Sequence, residues 1–214
     1  MKKGDRYDVS GMVEAQFEPG SRRRVLRNNL GIRSSRAMDV AEARALTQAM
    51  EAFVAQYDER HRFTADDICG MHRRWLGGIY PWAGAYRQVN ISKGGFPFAA
   101  ANRVPTLMEG YSREVLARYT PCRPSGVTEV AKALAQTHVE LVLIHPFREG
   151  NGRIARALST LMGLQAGLPP LDFGSITGKA TKDYFMAIQR GMDRDYRLME
   201  RLFEAIIERS VAGT

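Results

Sequence analysis

Between His145 and Arg156 the chain reads HPFREGNGRIAR, a run of side chains suited to a phosphorylated ligand. Pro146 ends one helical pattern and a second begins near Asn151-Gly152. The segment is therefore a helix, a tight loop, and a new helix whose unpaired amides face the loop, a ready site for an anion. Gly150 and Gly152 let the backbone approach a phosphate closely, and Asn151 can add an amide donor. Arg153 and Arg156, three apart on one helix face, suit a polyphosphate better than a single carboxylate. Glu149 is the loop's one carboxylate, and a carboxylate plus substrate phosphates is a usual way to hold Mg²⁺. His145 ends the preceding helix, and an imidazole with its ordinary pKa of about 6.5 suits a general base. Phe147 is the expected anchor of the loop in the core. Singly, each residue has an ordinary structural use: a satisfied core histidine, a solvated loop acid, a solvated arginine face. Their joint occurrence within twelve positions points to phosphate chemistry.

Those residues need a scaffold, and helical patterns dominate the chain. Met38–Tyr57 lacks Gly and Pro, and Thr64 followed by Asp66 and Asp67 is a cap for a helix running to about Leu76. A helix is expected from Pro105 to about Tyr119, and another capped by Thr128 with Val130, Leu134, Thr137, Leu141 and Ile144 on its buried face. The helix after the loop should bury Ile154, Leu158 and Leu161 and stop at Gly167. Patterns over Thr181–Arg190 and Asp193–Arg209 finish the chain. Strand signal is confined to Tyr86–Phe98, where Val89, Ile91, Phe96 and Phe98 flank Gly94-Gly95, a tight-hairpin turn. Pro97 places its strand at an edge. The hairpin either packs on the helices or is completed by an incoming peptide strand. The expected fold class is all-α with a single β-hairpin.

The 214 residues, 44% hydrophobic and 25% charged, fit one ordinary globular domain and exclude collagen-like or disordered classes. No apolar run suits a bilayer span, and MKKGDRYDVS has no apolar stretch behind its lysines, so neither membrane association nor a secretory leader is expected and the chain reads as cytoplasmic. Cys69 and Cys122 have no metal-type spacing and read as packing residues. The net charge of +8 suggests an anionic partner without choosing among nucleic acid, acidic protein and nucleotide. Arg22, Arg23, Arg24 and Arg27 follow the Pro19-Gly20 turn, either as a solvated arm or as a docking surface.

HPFREGNGRIAR resembles the signature H-P-F-x-[D/E]-G-N-G-R-x-x-R of the Fic (filamentation induced by cAMP) family and fits it at every position. Ile79–Ala99 is similar to the family's region leading into its flap hairpin. The resemblance covers the chain from about Leu30, leaving residues 1–30 as an irregular basic arm and 31–214 as the Fic domain. It implies a Mg²⁺-dependent protein adenylyltransferase that moves AMP from ATP to a Ser, Thr or Tyr hydroxyl of a target protein and releases pyrophosphate. By the same resemblance His145 would be the base and Glu149 the Mg²⁺ ligand. Gly150, Asn151 and Gly152 would hold the α- and β-phosphates, and Arg153 and Arg156 would reach the β- and γ-phosphates. Lys93 and Gly94 would lie near the nucleotide, at the tip of a flap, Val89–Phe98, that registers the target by strand addition.

Many family members carry an inhibitory [S/T]-x-x-x-E-[G/N] helix. Ser10…Glu14, Thr47…Glu51 and Ser125…Glu129 are followed by Ala15, Ala52 and Val130, so none completes it, and a separate antitoxin-like partner is the expected inhibitor. Translocation into a host cell stays open as a family property, with no secretion domain visible. Three rivals remain. Relatives transfer UMP, phosphocholine or phosphate, although the phosphorylating Doc-like loop has Lys at the position of Arg153. A non-enzymatic nucleic-acid-binding or adaptor protein would explain the charge but not the loop. G-x-G-x-x-A at Gly150–Ala155 imitates a dinucleotide fingerprint, but the strand–helix alternation it requires is missing.

Overall fold

The structure is a computed structural model describing residues 11–213, apart from the Lys179 side chain. The sequence MKKGDRYDVS lies outside the described residues. The long run without Gly or Pro forms α1 (Ser35–Gln56), whose first turn is capped by Ser34 accepting from Ala37 N. Helix α2 (Ala65–Leu76) opens with a full capping box between Thr64 and Asp67, as the Thr-x-x-Asp spacing predicts. Pro105 falls at the second position of α3 (Val104–Tyr111), and the chain continues helically through a wide turn at Ser112–Leu116 to Tyr119. Helices α4 (Val127–Ile144) and α5 (Asn151–Gln165) flank the loop, and α6 (Lys179–Arg190) and α7 (Arg197–Ala212) complete the set. Thr128 is not the cap of α4: the chain enters from Gly126 at φ 95°, a conformation open to glycine, and Thr128 is the second residue of the helix.

Helix α4 is the axis of the fold. Its predicted stripe is buried, and so are Ala131, Ala133, Ala135, His138, Val139 and Val142. A helix buried on several faces must be surrounded, and α3, α5, α6 and α7 all pack against it while α1 packs on α2. Ile154, Leu158 and Leu161 of α5 meet this core as the spacing predicts. The loop's two parent helices are thus among the most immobilised elements, which suits a site that depends on fixed geometry.

The hairpin is shorter than its sequence pattern. β1 (Ser92–Lys93) pairs antiparallel with β2 (Phe96–Pro97), with Ser92 opposite Pro97 and Lys93 opposite Phe96. Gly94 and Gly95 both take positive φ, 57° and 82°, as a two-residue turn of this hand requires. The described part of the N-terminal segment is irregular, yet it is anchored. Val25 and Leu26 are buried, Phe17 bridges Leu26, and the Glu14 carboxylate accepts from Gln88 N at 2.6 Å. Arg22, Arg23, Arg24 and Arg27 stay exposed on its turn.

Candidate active site

The loop is formed by backbone reversals and one side-chain amide. Helix α4 ends on His145 in the left-handed region (φ 53°), a conformation that costs a non-glycine residue about 1–2 kcal/mol. Phe147 follows, fully buried and stacked on His72 with centroids 3.8 Å apart. His72, on α2, accepts from Gly84 N at Nδ1 (2.8 Å), so its proton lies on Nε2, which donates to Glu149 O (3.0 Å). Asn151 accepts from Phe147 N and donates to Phe147 O, both at 2.8 Å. Asn151 is 2% exposed and its amide shapes the loop, a role the sequence did not suggest, while one N–H of Nδ2 is left for a ligand.

Gly150 has φ 83°, and a Cβ there would stand 2.7 Å from Trp75 Cζ3. Gly150→Ala combines left-handed strain with overpacking against a buried ring, so a loss of about 2–4 kcal/mol is expected. A urea midpoint within experimental error of wild type would refute it.

His145 keeps one ring nitrogen free. Its Nδ1–H donates to Val142 O at 3.1 Å, which leaves the Nε2 lone pair as the acceptor. The ring stacks on Phe98 of the hairpin, centroids 3.6 Å apart and planes 12° from parallel. Burial, helped by the charges of Arg87 and Lys93, pushes its pKa down to about 4, so the ordinary value expected from sequence does not apply and the ring is neutral at neutral pH.

Arg87 fixes the hairpin to this histidine. Fully buried, it donates from Nε to His145 O (2.6 Å), from Nη1 to Val89 O (2.7 Å), and from Nη2 to Ala99 O and Ile144 O. Its backbone N–H donates to Pro146 O at 2.9 Å. One planar guanidinium therefore joins both stems of the hairpin to the C-terminus of α4, where the helix dipole favours a cation.

The anion-binding side holds a residue that sequence reasoning missed. Arg153 pairs with Glu42 Oε2 at 2.7 Å and Glu149 Oε1 at 3.4 Å, and lies over the Trp75 ring. Glu42, 3% exposed on α1, also accepts from Tyr80 Oη at 2.6 Å. The signal for it was a carboxylate on the buried stripe of Met38, Ala49 and Phe53. Arg156 has no carboxylate within ion-pair distance among the described residues, and its guanidinium lies 5.7 Å from the Tyr184 ring centre and 5.9 Å from that of Phe173. Tyr184 Oη bonds His138 Nε2 at 2.8 Å, and His138 Nδ1 bonds Ser159 Oγ at 3.2 Å. Ser159 spends its own proton on Ala155 O, so His138 donates to it and Tyr184 donates to His138. Arg156 is thus bordered by neutral groups and keeps its charge available for an anion.

Two adjoining cavities receive these groups. One of about 400 Å³ is lined by Glu149, Gly150, Asn151, Gly152, Arg153 and Arg156, with His145 and Lys93 at its side. The other, about 520 Å³, lies between hairpin and α6 and includes Lys93, Gly94, Phe96, Tyr184, Phe185 and Gln189. Every site residue named from the sequence lines one cavity or both. Lys93 reaches over the Phe185 ring (4.8 Å), closing hairpin tip against α6.

Burial lowers the pKa of His72 and His145 to about 4 and of His138 to about 3. The folded values lie below the ordinary value of about 6.5, so stability is full above that pH and falls as pH drops toward 4. Each histidine contributes on the order of 1 kcal/mol per pH unit in that window. The urea midpoint should therefore drop markedly between pH 7 and about pH 5; an unchanged midpoint would contradict the neutral buried state.

The chain is similar to known proteins in sequence and in fold. Residues 62–162 match the family model described as Fic/DOC. The chain is 30% identical to protein adenylyltransferase Fic of Nematostella vectensis over 151 residues, 69% of this chain and 33% of the relative. It is 30% identical to protein adenylyltransferase VbhT of Bartonella schoenbuchensis over 147 residues, 67% and 30% of the two chains. The fold matches that of BepC from Bartonella tribocorum, solved with bound AMPPNP, at a TM-score of 0.71 and 21% identity, covering 92% and 97%. The chain spans 22–40% of the length of three curated relatives. The signature loop falls within the matched residues, and the chain carries a Fic/DOC family domain over residues 62–162.

Proposed function

We propose that this chain is a protein adenylyltransferase that moves AMP from ATP to a hydroxyl of a target protein. The observation that carries the reading is a neutral His145, its Nε2 lone pair free, lining the same cavities as Arg153, Arg156 and the amides around Gly152. The relatives' name, protein adenylyltransferase, and the AMPPNP bound to BepC support it.

In this mechanism the target lies along the hairpin, whose short strands leave backbone groups for an added strand. His145 Nε2 accepts the proton as the hydroxyl oxygen bonds to the α-phosphorus, and the bond to the bridging oxygen breaks to release pyrophosphate. Arg153, Arg156 and the loop amides stabilise the charge on the phosphate oxygens. Glu149 fits a Mg²⁺ site shared with those phosphates: it is half-exposed and lines the phosphate cavity, and no protein-only cluster of metal ligands occurs among the described residues. When bound, the ion would supply further neutralisation of phosphate charge. The apolar walls of the larger cavity, Phe96, Tyr184, Phe185 and Ile188, suit a nucleobase, and Tyr184 offers its ring there while its O–H donates to His138. Inhibition would come from a separate protein carrying a carboxylate to Arg156.

The test is transfer from α-³²P-ATP and γ-³²P-ATP in lysate with Mg²⁺. A protein band labelled only from the α position is expected. Label from the γ position alone would replace the reading with phosphotransfer. Label appearing only when UTP or CDP-choline is supplied would replace the transferred group.

A further inference from the structure

Residues 11–36 carry six arginines against two carboxylates, half of the chain's net +8. Both carboxylates are engaged: Glu14 is buried and accepts from Gln88 N, and Glu18 accepts from Asn28 N at 3.3 Å. All six arginines are exposed, and none has a carboxylate within ion-pair distance among the described residues. Like charges this crowded repel one another, and Arg22 and Arg23 also occupy consecutive left-handed positions, φ 54° and 60°. Arg23 lies over the Phe17 ring at 5.3 Å, which leaves its charge unpaired.

Arg24, Arg33 and Arg36 line, with Ser34 and Ser35, a concavity of about 410 Å³. Arg24 and Ser35 also line a second concavity, about 170 Å³, whose floor includes Val25, Leu26 and Met38 and whose far end is formed by Glu149 and Arg153. A cationic basin thus runs into a mixed cleft that ends on the catalytic loop. Asp39, Glu42 and Glu149 line that cleft too, the latter two paired with Arg153.

We propose that this basin docks an acidic segment of the protein substrate beside the catalytic loop. The inference rests on the reading that the site modifies a protein. A polypeptide is favoured over nucleic acid because Asp39, Glu42 and Glu149 line the cleft between basin and loop and would repel a continuous phosphate backbone. Charged rims of this kind steer association and set specificity.

The test uses fluorescence anisotropy with a labelled oligoglutamate peptide and, in parallel, a labelled duplex DNA, at about 50 mM and about 200 mM salt. Wild type is compared with Arg24→Glu/Arg33→Glu/Arg36→Glu. A control of equal net charge, Arg113→Glu/Arg118→Glu/Arg201→Glu, alters exposed arginines on other helices. Peptide affinity should fall at least tenfold in the basin variant and less than threefold in the control. Equal loss in both would reduce the effect to net charge and overturn the proposal, and so would tighter binding of duplex DNA than of peptide. ATP affinity, read on the same proteins, should match wild type and verifies folding. Peptide binding needs no group transfer, so a failure here is separate from a failure of the activity.

Discussion

His145→Asn is expected to lose transfer by about 10²–10⁴-fold in kcat while retaining ATP binding. Asparagine is the informative replacement because it tolerates the left-handed backbone at this position and its amide can still donate to Val142 O. What it lacks is a basic nitrogen at the position of Nε2. Both variants lose the ring stacked on Phe98, but His145→Ala also removes the donor to Val142 O and Asn's tolerance of the left-handed backbone, so it tests base and local packing together. Single-turnover transfer from α-labelled ATP, beside nucleotide affinity by calorimetry, separates the two effects. An Asn variant retaining a tenth or more of wild-type transfer would remove His145 from the role of base.

Arg87→Met is expected to destabilise the fold by about 3–5 kcal/mol. It leaves four carbonyls without their donor, those of Val89 and Ile144 buried and those of Ala99 and His145 half-buried. Arg87→Lys keeps the cation but not the planar fork, so it should lie between Met and wild type. Urea midpoints measure the stability, and kcat at a temperature where each variant is folded measures the second consequence. Because one guanidinium ties both hairpin stems to His145, loosening it would, in the proposed mechanism, separate the strand along which the target lies from the base that takes its proton. Transfer should therefore fall further than ATP affinity does. Wild-type stability in Arg87→Met, or parallel losses of transfer and ATP affinity in Arg87→Lys, would contradict this coupling.

The helices were legible because local signals and burial agreed. The Thr64–Asp67 box, the Pro146 break and the stripe from Val130 to Ile144 are each determined by neighbours in sequence. The loop was legible because its chemistry is contiguous. What supports the loop was not: Arg87, His72 and Glu42 reach it from 58, 77 and 111 positions away, and none has a spacing that marks it. Arg87 reads as a surface arginine in a strand, and only the convergence of four carbonyls explains its burial. Asn151 shows a related difficulty, since a donor between two glycines reads as a ligand group alone and its structural bonds to Phe147 are seen only in the fold. The brevity of the hairpin was also hidden, because apolar residues at Val89 and Ile91 serve the stem rather than the ladder.

The amide of Asn151 closes a five-residue ring by bonding both the N–H and the C=O of Phe147. Such a ring counts residues. Substitution at Arg148, whose side chain points away to Glu14 O, leaves the count intact. Insertion or deletion of a single residue between Phe147 and Asn151 breaks both bonds at once and turns Glu149 off its carbonyl contact with His72. The segment can therefore be varied in composition but not in length, and grafting it into another helical scaffold means transplanting a fixed-length cassette together with the histidine and tryptophan that hold it from below.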